Sequence, residues 1–208
     1  MCASIKFAWG GGIYPVKYFD LRDEAYPFDW IESPFSALYQ CLVDDFANFL
    51  TALKSKRDYL VVDFYGFEFL HDWPTQVCPN FDVANSDFGV GNAQLVSDWP
   101  QYNESVRSKY RRRIARFRQS CSGQEKIFFF RYHDITKAQA VLLRDLIAQR
   151  YPNLDFELVV VISTEPLGVT GETWELERIK NFYITYYEWG NPQLWGEIFK
   201  QLGIDITS

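Results

Sequence analysis

Histidine is scarce in this chain, and paired cysteine is absent. Its 208 residues hold two histidines and four cysteines, and Cys2, Cys41, Cys78 and Cys121 lie far apart with no CxxC pair. Without a close Cys/His cluster a structural zinc site is not expected, and no cofactor is implied. No apolar run approaches the roughly 18 residues of a membrane span, and no basic stretch leads into an apolar one at the start. The expectation is a cytoplasmic protein with reduced thiols and no membrane partner. Basic charge is not in surplus either: 21 Lys and Arg face 27 Asp and Glu, a formal net charge of −6, which argues against general nucleic-acid binding. Repeats and convincing linkers are missing too, so residues 1–208 read as one domain.

What the chain does have is apolar and aromatic mass. Aromatics make up 18% of it and charged residues 23%, the composition of a chain that buries a core. Tyr59–Tyr65 (YLVVDFY) is β-branched and aromatic and predicts a strand. Gly66 breaks it, and Phe67–Leu70 leads to His71-Asp72-Trp73-Pro74. A histidine with a neighbouring carboxylate just past a core strand is rigidly held yet can reach solvent, which makes this corner the candidate site.

Around that corner the elements fall in order. Ser4–Trp9 suits a first strand, and Gly10-Gly11-Gly12 directly after it permits a tight turn or close approach of a ligand. It matches neither GxGxxG nor a phosphate loop. Ser33-Pro34 opens a helix with Ser33 as N-cap, and Phe35, Leu38, Leu42, Phe46, Phe49, Leu50 and Leu53 predict about five amphipathic turns. Residues 75–102 are an irregular segment or lid. Asn103 caps a helix to about Gln119 with Val106, Tyr110, Ile114 and Phe117 inward and seven basic residues on the remainder. Arg113 falls at the edge of the buried arc and needs an anionic partner, with Asp29, Asp63 and Asp72 as candidates. The other basic residues read as a solvated face. Lys126–Arg131 is a strand, Thr136 caps a helix through Arg150, Phe156–Ile162 and Phe182–Tyr187 are strands, and Pro192–Leu202 is a closing helix. Strand–helix–strand with such apolar runs predicts a parallel crossover. Extended to the front, the pattern predicts α/β: a single three-layer domain, mostly parallel sheet with helices on both faces.

With these elements placed, Tyr26–Trp30 (YPFDW), Asp44–Leu50, Leu70–Pro74 (LHDWP), Lys109–Phe117 (KYRRRIARF) and a strand ending in Arg131 form an ordered set. The set resembles a bacterial family of unknown function described as putative papain-like cysteine peptidases. The resemblance implies a nucleophilic cysteine in a turn after the first strand, with His71 as its base and Asp72 as the orienting carboxylate. In this chain the first strand runs into Gly10–Gly12, and no cysteine stands at the nucleophile's place. Cys2 precedes the strand, Cys41 lies within a helix pattern, and Cys78 lies past His71 in the irregular segment.

Three readings follow. In the first the chain is a degenerate family member that binds a small anionic ligand without thiol catalysis. Gly10, Gly11, Gly12, Asp29, Trp30, Arg112, Arg113, Arg116 and Arg131 would then line a cleft shared with His71 and Asp72. In the second it is a transferase or hydrolase on a phosphorylated or nucleotide-sugar substrate, with His71 as general base and the arginines on phosphate. In the third it is an interaction module for a protein partner, through aromatics of residues 75–102.

Overall fold

A computed structural model describes residues 4–9, 18–21, 24–86, 89, 93–132, 135–164, 173–185 and 191–206. Gly10–Gly12 lie outside them. The contacts fall into two compact units, one of residues 1–24 with 119–208, the other of residues 25–118.

The first unit carries a four-stranded parallel sheet. Its strands are β1 (Ser4–Trp9), β6 (Ile127–Tyr132), β7 (Phe156–Thr164) and β8 (Ile179–Thr185), side by side in that order and all parallel. All six residues of β6 are buried, as are Phe156 and Leu158–Val161 of β7, so the inner strands read as unbroken apolar runs. Between β6 and β7 runs α3 (Lys137–Arg150). It starts on the expected capping box: Thr136 Oγ1 accepts the Gln139 N–H at 3.2 Å and Gln139 Oε1 accepts the Thr136 N–H at 2.9 Å. The closing helix α4 (Pro192–Gln201) sets Trp195 and Phe199 against Phe130.

The second unit departs from expectation. Its strands, β2 (Ile31–Glu32), β3 (Lys54–Lys56), β4 (Leu60–Val62) and β5 (Glu68–Phe69), form a separate antiparallel sheet in the order β2-β5-β4-β3. The fold is therefore mixed α/β, and a mostly parallel sheet describes only the first unit. The reason is local. Asp63 stops β4: its Oδ1 accepts the N–H groups of Tyr65, Gly66 and Phe67 at 3.0, 3.1 and 3.1 Å, and Gly66 turns the chain at φ 91°. A connection of residues 63–67 closes a hairpin, whereas a parallel return needs a dozen residues or more.

Helix α1 (Phe35–Val43) is also shorter than predicted, and Pro34 rather than Ser33 takes the cap position. Asp44 and Asp45 end it, and Asp45, Phe46, Leu50 and Ala52 adopt left-handed backbone conformations (φ 52°, 64°, 57° and 48°). Phe46, Phe49 and Leu50 are nonetheless buried, so the period-3.6 apolar pattern marked core positions correctly and their helix wrongly. Phe46 and Phe49 join Phe28, Phe67 and Phe117 in an aromatic core with ring centroids 5.4–6.3 Å apart. The 3-10 turn Trp99–Tyr102 leads without a break into α2 (Asn103–Cys121), so Asn103 is its first residue rather than a preceding cap.

Candidate functional site

The corner after β5 is buried more deeply than a surface loop. Asp72, Trp73 and Thr75 are 0, 2 and 1% exposed, and His71 is half-buried. His71 and Asp72 lie in a bend after β5, and their side chains have different partners. Asp72 pairs with Lys109 Nζ at 2.7 Å and accepts the Tyr110 hydroxyl at 3.0 Å, both from α2. His71 Nδ1–H donates to the Gly89 carbonyl at 3.1 Å, and the Gly89 N–H donates to the His71 carbonyl at 2.6 Å. Because a carbonyl only accepts, Nδ1 carries a proton. Gly89 suits this close approach, since a Cβ there would stand 3.1 Å from the His71 carbonyl oxygen.

Burial of the Asp72–Lys109 pair makes it the electrostatic centre of this unit. Lys109 is 4% exposed and its ammonium lies 5.7 Å from the Phe81 ring centre. Tyr110 is fully buried, which pushes its hydroxyl well above the ordinary range, and the negative charge of Asp72 adds to the effect while Arg113 opposes it. The Arg113 guanidinium lies 4.9 Å from the Tyr110 ring centre and the residue is 2% exposed, as its place on the helical arc predicts. Of its three candidate carboxylates, Asp72 is held by Lys109 and Tyr110. Asp63 is held by backbone donors, including the Leu50 N–H at 3.0 Å.

The remaining predicted residues have identifiable places. Asp29 is 2% exposed and accepts the Tyr26 N–H at 2.7 Å within the turn that carries Trp30. Arg112 donates to the Ala84 carbonyl and Arg116 to the Ala25 carbonyl, each at 2.6 Å. Arg107 and Arg118 act alike on the carbonyls of Leu50 (3.2 Å) and Asp45 (3.0 Å). The basic face of α2 thus grips the main chain of the surrounding loops. Arg131 belongs to the first unit, where it is 3% exposed at the end of β6 in register with Trp9 and Val160. The cleft expected between His71 and Gly10–Gly12 rests on residues outside those described.

Lys109 is the residue that the sequence reading assigned wrongly, to the solvated face. The signal was there: it stands three positions after Val106 and four before Arg113, within reach of the buried arc. Among cysteines, Cys41 and Cys121 are 0 and 3% exposed, and burial pushes both thiols far above the ordinary range. Cys78 is half-buried. Among the described residues no three His, Cys, Asp or Glu side chains converge as a metal site, and no helix is long and apolar enough to cross a membrane. Residues 8–166 match the family described as "Putative papain-like cysteine peptidase (DUF1796)". No curated protein and no solved structure matches the chain.

Proposed function

The chain belongs to the putative papain-like cysteine peptidase family, and within it we propose that this member is a ligand-binding α/β protein that has lost thiol catalysis. One observation carries the reading. The first cysteine after β1 is Cys41, which is fully buried in α1 with its thiol pushed far up. A thiol in that state supplies almost no thiolate at neutral pH, and thiolate is the nucleophile. The commitment of Asp72 to Lys109 and Tyr110 adds support, because the carboxylate that the family resemblance implies would orient His71 is engaged by α2.

Iodoacetamide labelling at about pH 7, followed by mass spectrometry, tests the loss of catalysis. The expected outcome is slow modification, confined to accessible thiols such as Cys78 and unchanged by His71→Ala. Rapid modification of one cysteine that His71→Ala abolishes would restore the peptidase mechanism and sink the proposal.

A further inference from the structure

We propose that the cleft between residues 45–52 and α2 binds a small organic carboxylate carried on an apolar or aromatic body. The inference rests on the reading of this chain as a binding protein and names its ligand class. The cleft has a volume of about 380 Å³, within the roughly 300–1,000 Å³ of small-molecule sites. Phe46, Phe49 and Ile114 form its apolar floor, and Arg107, Arg111 and Arg118 stand around it. Arg118 is paired with Asp45 at 3.2 Å, so the groups that would hold an anion are Arg111, 66% exposed at this opening, and Arg107, which shares Glu104 with it.

The protein already displays the recognition it would use. Glu104 places one carboxylate oxygen 2.8 Å from Arg111 Nη1 and the other 3.9 Å from Arg107 Nη1. Glu104 and Arg111 are 67 and 66% exposed, and such a pair holds weakly in water. A ligand carboxylate attached to a ring that settles in the cleft adds burial of the ring's own apolar surface, which Glu104 cannot, and so displaces it. The Arg107 fork is set in place by its Nε–H bond to the Leu50 carbonyl at 3.2 Å. Two of the lining residues, Phe46 and Leu50, have left-handed backbone conformations (φ 64° and 57°). Conformations of that kind in non-glycine residues concentrate at ligand sites.

The test is calorimetric titration of the full chain with 2-naphthoate, with 2-naphthamide as its uncharged counterpart. Naphthoate is expected to bind at least about tenfold more tightly than the amide. Arg111→Met changes an exposed side chain and should cost naphthoate about tenfold while leaving the amide unaffected. Glu104→Gln removes the internal competitor and should raise naphthoate affinity by about threefold, a gain that misfolding cannot mimic. Equal affinity for acid and amide, absence of naphthoate binding, or indifference to both substitutions would each overturn the proposal. The thiol assay remains separate: a fast His71-dependent cysteine refutes the loss of catalysis while a responsive naphthoate site still stands. Slow thiols with no naphthoate binding refute the site alone.

Discussion

Replacing Lys109 with methionine probes the pair at the centre of the second unit. Methionine keeps most of the apolar stem and deletes the ammonium, together with its place over the Phe81 ring. Asp72, at 0% exposure, is then left as a buried carboxylate with the Tyr110 hydroxyl as its remaining side-chain donor. Removing one partner of a buried pair costs about 3–5 kcal/mol, and the retained hydroxyl places this case near the lower figure. For a chain of this size about 3 kcal/mol corresponds to a fall in Tm of roughly 6–12 °C. Circular dichroism melts of wild type, Lys109→Met, Asp72→Asn and the double variant measure it. In the double variant the asparagine oxygen still accepts from Tyr110 and no charge is stranded, so it should recover at least about half of the loss. A fall of less than about 2 °C for Lys109→Met, or a double variant as unstable as the sum of the singles, would refute a buried pair.

Two further substitutions test the turn at Asp63. Asp63→Asn loses the acceptor for the Leu50 N–H at 3.0 Å and should lower stability by about 1–3 kcal/mol in urea titrations. Burial pushes the Asp63 carboxyl up to about 6, against the pull of its backbone donors. The folded value exceeds the ordinary one. The wild type's advantage over Asp63→Asn should therefore be largest below about pH 4 and shrink as pH rises through about 6. An advantage that grows across that range would contradict the assignment. Gly66→Ala introduces a Cβ that meets nothing within 4 Å, so only its φ of 91° is at stake. A loss of about 1 kcal/mol in urea is expected, and no loss would mean that the hairpin relaxes there.

How much of this was legible in the sequence depended on how long each signal ran. The unbroken apolar runs at Lys126–Arg131 and Phe156–Ile162 identified inner parallel strands, because only burial on both faces tolerates them. The Thr136 cap was readable because its partner Gln139 lies three residues on. The front of the chain misled for the opposite reason. Leu60–Val62 is short, and its end is set by a carboxylate reaching four backbone N–H groups, which composition does not reveal. The apolar spacing through Leu53 fits a helix, yet Asp44 and Asp45 end α1 and the same residues pack from turns. At the candidate site, the sequence placed His71 beside Asp72 and Arg113 in the buried arc. It could not show that Lys109 and Tyr110, distant by more than thirty positions, would claim the carboxylate.

The arginines of α2 have a consequence for which substitutions the molecule tolerates. Each of Arg107, Arg112, Arg116 and Arg118 fastens a loop by an oxygen that every amino acid possesses, at Leu50, Ala84, Ala25 and Asp45. The side chains at Ala84 and Ala25 are not what is being read, so those loops can drift in sequence while their course past the helix persists. The constraint is carried instead by the guanidinium side. A lysine offers one compact ammonium where the fork reaches two directions at once, so the burden of keeping the loops in place rests on the identity of the helix residues.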